Sequence, residues 1–347
     1  MPVTINDVAK RAGVSPKTVS NVIHEYPHVR QATRAKVLEA IEVLGYQPNI
    51  AARSLVTRRH HLIGFVLWDI LNPGYTEMVD TVVGRAREAG YTVILGSAGR
   101  DPEEEERMAT LLIQQRVDGV ILASTTQSSK VPQRLTDAGI PVVMVSRYVA
   151  DAPCDYVVVD NRQGGYLVTR HLLALGHRRI AFVRGTPNAS TSLDREAGYR
   201  QALAEYGLEP DDTLIGQGNY TSRGAYAAAV QLLSLAERPT AIVCANDLMA
   251  IAVIDAVIDC GLRVPEDVAV TGYDNIAWAA SRSLALTSVK ASLDVMAHEA
   301  VTLLLQRIEG QLTGPPRRVV LPAELVVRRT CGALLTRQGA GGVLPAA

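Results

Sequence analysis

The segment TINDVAKRAGVSPKTVSNVI, residues 4–23, decides the fold of the amino-terminal part of the chain. Thr4 followed three residues later by Asp7 fits a capping box with aspartate in the acidic position, which predicts the start of a short helix. Gly13 permits a sharp turn, and Ser15-Pro16 supplies an N-cap followed by proline at the first helical position. The segment therefore predicts two short helices joined by a glycine turn.

The second predicted helix has one apolar face and one face of short polar or cationic groups. Its apolar side chains recur at helical spacing and should face inward: Val19, Val22 and Ile23. The outward face carries Lys17, Thr18, Ser20 and Asn21. Such a pair of helices can place the second one in the major groove of DNA, with its first residues at the base edges. A third helix over residues 31–44 should close the core with Val37, Leu38, Ile41 and Leu44 and end at Gly45.

The zero net charge of the chain hides an uneven distribution. Residues 1–61 contain nine Lys or Arg against four Asp or Glu, a net charge of +5, so the remaining residues carry −5. A cationic amino-terminal region attracts DNA phosphates, because neutralising them releases condensed counterions. The charge pattern assigns DNA contact to this region and not to the larger remainder.

Composition argues against several other classes of protein. The four cysteines are far apart and follow no metal-binding spacing, so we expect reduced thiols and no metal site. No apolar run approaches the roughly 18 residues of a membrane span, and the amino terminus lacks an apolar signal segment. We expect a cytoplasmic protein without membrane contact. No nucleophile elbow, phosphate loop or other catalytic pattern occurs, so neither enzymatic activity nor a cofactor is expected.

From residue 62 onward, strands and helices alternate in two similar runs. The first run predicts strands at 62–67, 92–95 and 119–122 and helices at 75–89 and 103–115. The second predicts strands at 180–183, 241–244 and 268–270 and helices at 162–175, 193–206, 221–235 and 247–260. This alternation is typical of parallel sheets covered by helices on both faces, which indicates two three-layer α/β/α lobes.

Polar side chains follow the predicted strands, where open parallel sheets bind ligands. The candidate ligand-binding residues are Asn72, Tyr75, Arg147, Arg195, Tyr220, Asn246, Asp274 and Trp278. A carboxylate, amides and guanidinium groups suit sugar hydroxyls, while aromatic faces pack on apolar ring hydrogens. Structural roles remain open for some of them: a turn for Asn72 and ion pairs for the two arginines. Asp247, which opens a predicted helix, is expected to serve that helix and not a ligand.

The chain resembles the lactose/galactose-repressor (LacI/GalR) family of bacterial transcription regulators. Besides residues 4–21, the motifs that carry the resemblance are Tyr46-x-Pro48, Ala52-Arg53-Ser54-Leu55, Ala245-Asn246-Asp247 and Gly272-Tyr273-Asp274. The resemblance covers nearly the whole chain and implies a helix-turn-helix head on a two-lobed body like that of periplasmic sugar-binding proteins. It implies a head at 1–48, a hinge helix and linker at 49–61, a body at 62–330 and a flexible tail at 331–347. The N-lobe would comprise about 62–161 and 291–321, and the C-lobe about 162–290 and 322–330.

The resemblance also implies which residues contact DNA. The expected set is Thr4, Ser15, Pro16, Lys17, Thr18, Ser20, Asn21, Asn49, Ala52, Arg53 and Leu55. Lysine suits guanine and asparagine suits adenine in the major groove. Two hinge helices would pair over the minor groove and insert Leu55 into a base step. A homodimer on a near-palindromic operator follows from two-fold symmetry.

By the same resemblance, a small sugar between the lobes controls operator affinity, and the regulator is expected to be a repressor. A nucleoside, nucleobase or phosphorylated sugar is an alternative effector, and a solute-binding protein an alternative class. Ser146 replaces the aspartate of many sugar-binding members, and Ala291 replaces a polar amide, which leaves the effector's identity open. The sequence leaves open whether the effector induces or corepresses.

Overall fold

The computed structural model describes residues 3–23, 26–46 and 59–333. These residues fall into two compact units, a small one that ends at His60 and a large one that begins at His61. We call the small unit the head and the large unit the body.

The described head contains the helices α1 (Ile5–Ala12), α2 (Pro16–Ile23) and α3 (Gln31–Leu44). The Asp7 carboxylate accepts hydrogen bonds from the backbone N–H of Thr4 at 2.9 Å and from its hydroxyl at 2.7 Å, which fixes the start of α1. Gly13 ends α1 with φ of 67°, a left-handed conformation that glycine adopts without strain. The Thr18 N–H donates to Ser15 Oγ at 3.1 Å and caps α2.

The core of the head is small and apolar, and it is formed by Val8, Ala9, Val19, Val22, Val37 and Ala40. Leu38, which the sequence analysis placed in this core, is instead 51% exposed. Successive side chains on a helix are rotated by about 100°, so burial of Val37 turns Leu38 outward. Ala40 takes the inner position one turn later.

The first sheet of the body belongs to the N-lobe and contains six parallel strands. They are β1 (Leu62–Leu67), β2 (Thr92–Ser97), β3 (Gly119–Ala123), β4 (Val142–Val145), β5 (Asp155–Val159) and β11 (Arg318–Leu321). Their order is β11-β5-β4-β3-β1-β2. The helices of this lobe are α4 (Gly74–Glu88), α5 (Pro102–Gln114), α6 (Val131–Asp137) and α11 (Leu293–Ile308). Phe65 faces the core that contains residues of α4 and α11, whereas Val66 faces the one with α5 and α6, which gives three layers.

The second sheet belongs to the C-lobe. Its strands are β6 (Ile180–Arg184), β7 (Ile215–Gln217), β8 (Ala241–Cys244), β9 (Ala269–Asp274), β10 (Thr287–Lys290) and β12 (Glu324–Val326). Their order is β12-β10-β9-β8-β6-β7, and only the pair of β12 with β10 is antiparallel. Four helices cover this sheet: α7 (Asn161–Ala174), α8 (Ser190–Glu205), α9 (Ser222–Leu233) and α10 (Asp247–Asp259). The helical head and the two α/β lobes confirm the predicted fold class.

The chain crosses between the lobes three times within the described body. The first crossing links β5 to α7, the second links β10 to α11, and the third links β11 to β12. Because the crossings are short, the carboxyl ends of both sheets face one shared cleft. This is the edge where open parallel sheets bind ligands.

Two element boundaries differ from the sequence-based expectation in ways that affect the cleft. Strand β9 continues to Asp274, which pairs with Lys290 of β10, so Asp274 ends a strand and does not lie in a loop after residue 270. Helix α8 begins at Ser190 and not at residue 193, which places Arg195 in its second turn.

The tail was expected to begin at residue 331, yet Cys331 is fully buried, with its Sγ 3.3 Å from His171 Nε2. Residues 334–347 lie outside the described part.

Candidate functional site

A cavity of about 30 Å³ lies between the lobes at the carboxyl ends of the strands. Its lining includes Asn72, Gly74, Tyr75, Ser146 and Arg147 from the N-lobe, Thr191, Arg195, Tyr220, Asn246 and Asp274 from the C-lobe, and Leu293 at the start of α11. A space of this size holds about two water molecules. A sugar-sized ligand would therefore require the lobes or the lining side chains to move apart.

A buried ion pair forms the C-lobe side of the cavity. Arg195 Nη2 lies 3.4 Å from Asp274 Oδ1, and both side chains are almost fully buried. Arg195 Nε donates to Asn161 Oδ1 at 2.8 Å, and Nη1 donates to the backbone carbonyl of Ala245. Its guanidinium also lies over the Tyr273 ring, 3.5 Å from the ring centre. Each nitrogen of Arg195 thus has an acceptor, which offsets the cost of burying the charge.

The second buried arginine is held differently. Arg147 is 3% exposed and lies between two aromatic rings, 5.1 Å from the centre of Trp68 and 5.5 Å from that of Tyr220. Cation–π attraction favours such an arrangement. Tyr220 belongs to the C-lobe, so this contact joins the two lobes across the cleft. Arg147 Nη1 is buried without a hydrogen-bond partner among the described residues.

The asparagine at position 246 caps a helix and also lines the cavity. Its Oδ1 accepts a hydrogen bond from Met249 N–H at 3.0 Å, the usual N-cap contact. Its Nδ2 is buried and has no acceptor among the described residues. Asn246 therefore offers one unused donor to the cavity.

Asp247 supports the site from behind the lining. Its Oδ2 accepts from Ile276 N–H at 2.8 Å and its Oδ1 accepts from the Ser288 hydroxyl at 2.6 Å. Burial, together with the charge of Asp274, raises the pKa of Asp247 to about 8. Burial also raises the pKa of Asp274 to about 6, although Arg195 opposes this change. Asp247 does not line the cavity, but its carboxylate bonds to Ile276 and Ser288 and not to the helix that it was expected to serve.

Two tyrosine hydroxyls in the lining are already used by the protein. Tyr75 donates to the backbone carbonyl of Ala123 at 3.2 Å, and Tyr220 Oη lies 2.9 Å from Thr191 Oγ1. Both rings are 7% exposed and bound the cavity. They can present aromatic faces to a ligand while their hydroxyl groups stay fixed.

Direct hydrogen bonds hold the lobes together beside the cavity. The Tyr148 hydroxyl donates to Asp194 Oδ2 at 3.1 Å, and the Tyr148 N–H donates to Ser190 Oγ at 3.0 Å. The Gln127 N–H donates to the carbonyl of Asn188 at 2.8 Å. Because the donors are in the N-lobe and the acceptors in the C-lobe, these bonds depend on how close the lobes are.

Seven of the eight predicted effector residues line this single cavity, and Trp278 does not. Trp278 lies in the short 3₁₀ helix Ala277–Ala280 and is 58% exposed. Asn72 also makes the turn considered for it, because its Oδ1 accepts from Gly74 N–H at 3.1 Å. That these residues bind an effector stays a prediction.

Four residues that shape the cavity or contact its arginines were not predicted from the sequence: Trp68, Asn161, Thr191 and Leu293. Trp68 comes directly after β1, so the rule used for the other candidates could have found it. Asn161 follows β5, a strand that was not predicted from the sequence. Thr191 was missed because α8 was placed to begin too late. Leu293 is apolar at a helix start and gives no signal in the sequence.

The predicted DNA-contacting residues of the described head are exposed or partly exposed. Thr4, Ser15, Pro16 and Lys17 are exposed, and Thr18, Ser20 and Asn21 are partly exposed. Val19 and Val22 of the same helix are buried in the core. The predicted hinge residues Asn49, Ala52, Arg53 and Leu55 lie outside the described residues.

Among the residues that the structure describes, no group of His, Cys, Asp and Glu side chains is placed to hold a metal ion. Every described helix is too short or too polar to cross a membrane.

Known proteins resemble the chain in both of its parts. Residues 4–49 match the family described as bacterial regulatory proteins, lacI family, and residues 169–331 match the periplasmic binding protein-like domain. The HTH-type transcriptional regulator CelR of Thermobifida fusca is 39% identical over 334 residues, which cover 94% of this chain and 98% of that protein. Such relatives are transcriptional regulators, in agreement with the prediction that the chain is not an enzyme.

Two solved structures extend this likeness to the fold. A complex of the transcriptional regulator CelR with cellobiose is 37% identical, with a TM-score of 0.73, and covers 94% of this chain and 99% of that one. The Lac repressor dimer bound to operator and the anti-inducer ONPF is 29% identical, with a TM-score of 0.85 and coverage of 95% and 99%.

Proposed function

The chain belongs to the lacI family of bacterial regulatory proteins, and we propose that it represses transcription as a dimer whose operator affinity depends on a small sugar-like effector bound between the lobes. Such a regulator acts in the cytoplasm, on a near-palindromic DNA site. The likeness to a cellobiose complex and to a dimer on its operator supports both halves of the proposal.

One observation carries the DNA-binding half. Helix α2 buries Val19 and Val22 in the core of the head, so its other face is left with Lys17, Thr18, Ser20 and Asn21. Short polar groups on a helix of this kind can reach base edges in the major groove. The net charge of +5 over residues 1–61 supplies attraction to phosphates without sequence preference.

The cleft between the lobes carries the effector half. Polar groups from both lobes converge there, and Arg147 of the N-lobe contacts the Tyr220 ring of the C-lobe. A ligand that binds one arrangement of the lobes better than another shifts their equilibrium, and operator affinity changes by the same coupling. Couplings of this kind typically change affinity about 5- to 150-fold.

Operator selection tests the proposal. We expect the full-length protein to select a near-palindromic sequence from random duplexes and to release or tighten on it when an effector is added. Asn21→Ala should relax the base preference, because asparagine pairs with adenine edges, at a cost of about 1–3 kcal/mol of discrimination. Arg53→Ala, a substitution at an expected backbone contact, should weaken binding to all sequences alike and serves as the control. Equal losses on selected and scrambled duplexes for Asn21→Ala would contradict the assignment of α2 as the reading helix.

A further inference from the structure

The charges that line the interlobe cavity do not balance. The lining contains two guanidinium groups, from Arg147 and Arg195, and one carboxylate, from Asp274. Arg195 is paired with Asp274 and also reaches Asn161 and the Ala245 carbonyl, so its charge and its donors are satisfied within the C-lobe. The remaining positive charge is that of Arg147.

No acidic side chain of the described body pairs with Arg147. Two buried acids of the N-lobe are engaged elsewhere: Glu105 accepts from Ser124 at 2.6 Å and from Ser129 at 2.8 Å, and Asp69 lies 3.2 Å from Arg100. Neither acid lines the cavity. Glu105 attracts Arg147 at longer range, but its oxygens are occupied by the two hydroxyls. The charge of Asp274 also attracts Arg147 without forming an ion pair, so Arg147 is a buried cation with no acid bonded to it among the described residues.

The two buried polar atoms of the lining that have no partner among the described residues are donors. Arg147 Nη1 and Asn246 Nδ2 are both buried without partners, whereas the tyrosine hydroxyls of the lining are bonded within the protein. A ligand that satisfies these atoms must present acceptors. A carboxylate or phosphate oxygen is the strongest acceptor for a guanidinium group, and a buried site enhances the attraction because water does not screen it.

The residue before Arg147 is neutral, although an acidic residue at that position could neutralise the arginine. Ser146 lines the same cavity directly before Arg147 and is neutral. Its φ of 66° is a left-handed backbone conformation, which asparagine and aspartate adopt more readily than most residues. The backbone could therefore hold an acidic residue at this place, and the chain carries serine instead.

We propose that the effector is an acidic sugar derivative whose anionic group, a carboxylate or a phosphate, binds Arg147 with the Asn246 amide as a second donor. This inference rests on the proposed function, because it names the class of molecule that the same cleft binds. The Asp274 carboxylate, which lines the same cavity, is left to accept from hydroxyl groups of the sugar.

Matched pairs of ligands test the proposal with the full-length protein. Calorimetry would compare D-glucuronate with D-glucose, D-galacturonate with D-galactose, and D-glucose 6-phosphate and D-ribose 5-phosphate with their parent sugars. We expect at least one acidic member to bind about tenfold or more tightly than its neutral partner and to change operator affinity. The carboxylate and phosphate arms distinguish the two kinds of anionic group.

Two variants of Ser146 provide a matched control. Ser146→Asp places a competing carboxylate beside Arg147 and should weaken binding of the acidic ligand about tenfold or more, whereas Ser146→Asn has nearly the same shape without charge and should leave most of the affinity. Thermal unfolding of both variants would check that the fold is kept.

The possible outcomes separate the two proposals. If a neutral sugar binds as tightly as its acid and alters operator affinity, the acidic effector is overturned while the proposed function stands. Equal losses for Ser146→Asp and Ser146→Asn would also overturn it. If no member of any pair binds or alters operator affinity, both the acidic effector and effector control by sugars are overturned.

Discussion

At the scale of single residues, the cleft depends on charges that are buried and must stay paired. Arg195 is the centre of this arrangement, because it joins Asn161 near the end of β5, the carbonyl that follows β8 and the carboxylate that ends β9. A buried charge without its partner is costly, so the two members of the pair cannot be exchanged independently.

Arg195→Met should lower the free energy of unfolding by about 3–5 kcal/mol, because it leaves the Asp274 carboxylate buried without its cation. Denaturation in urea measures the change. The double variant Arg195→Met with Asp274→Asn should recover part of the loss, since the unpaired charge is then gone. Additive losses in the double variant would show that the two side chains do not interact.

Asp247 should make the body less stable as pH rises, because its buried carboxyl group then loses its proton. Its pKa is about 8 in the folded chain against an ordinary value of 3.8, so the folded state binds more protons than the unfolded state between about pH 4 and pH 8. The contribution of Asp247 to the free energy of unfolding is therefore fully present below about pH 4 and is lost as pH rises through about 8. Asp274, with a pKa of about 6, contributes in the same direction.

Asp247→Asn should reduce this pH dependence. The carboxamide can still accept from Ile276 N–H and can donate to the Ser288 oxygen, and it carries no charge to bury. We expect a gain of about 1–3 kcal/mol at pH 8.5 and little change at pH 5, measured by urea unfolding of both proteins. Asp80→Asn, at an exposed position on α4, is the control and should leave the pH profile unchanged. A profile for Asp247→Asn that stays parallel to that of the parent would refute the assignment.

At the scale of elements, the position of Arg195 follows from how closely α7 and α8 approach. An added Cβ at Gly198 would collide with the carbonyl of Arg162, and one at Gly165 would collide with the carbonyl of Arg195 itself. Glycines on the facing sides of the two helices therefore permit a contact that larger side chains would separate. The same close packing holds the guanidinium of Arg195 at the cleft.

Gly198→Ala should destabilise the body by about 1–3 kcal/mol, because the methyl group forces α8 away from α7. The matched control is Gly84→Ala in α4, where nothing lies within 4 Å of the added atom and alanine should stabilise the helix by about 0.5–1 kcal/mol. Opposite signs in thermal unfolding would support the packing argument, and a neutral Gly198→Ala would contradict it.

The predicted and observed ends of the strands and helices beside the cleft agree in some places and differ in others. Strands β1 and β8 agree with the sequence pattern, because their apolar runs are bounded by clear polar signals. Helix α8 was placed late, since its N-cap position is Ala189, which has no capping side chain. Strand β9 was predicted to end at residue 270, but it continues through Gly272, whose missing side chain leaves room for the Asp247 carboxylate. The periodicity of apolar residues predicts that these elements exist, but contacts between residues far apart in the sequence determine where they end. Such contacts also determine that Trp278 is exposed.

At the scale of the whole molecule, the closed arrangement of the lobes rests on few direct bonds. The Tyr148 hydroxyl to Asp194 is one of them, and burial raises the pKa of the Asp194 carboxyl. Few bonds between lobes suit a regulator, because a ligand with modest binding energy can then shift the population of closed and open forms.

Tyr148→Phe should weaken the closed form without large loss of stability, since it removes one bond between lobes and leaves the ring stacked on Tyr156. A net loss of about 0.5–1.5 kcal/mol is expected for one hydrogen bond, seen as weaker effector binding in calorimetry. Tyr226→Phe is the matched control, because its hydroxyl bonds Asp259 within the C-lobe. If both substitutions weaken ligand binding equally, the bond of Tyr148 has no special part in closure.

Because the chain crosses between the lobes three times, the two ends of the described body lie in different lobes. An odd count of passages leaves the beginning of the body, at β1, in one lobe and its last described residues, after β12, in the other. A pair of dyes placed near these two ends would straddle the cleft, so energy transfer between them would report each opening and shutting directly. An even count would have put both dyes on the same rigid half, where they would register nothing.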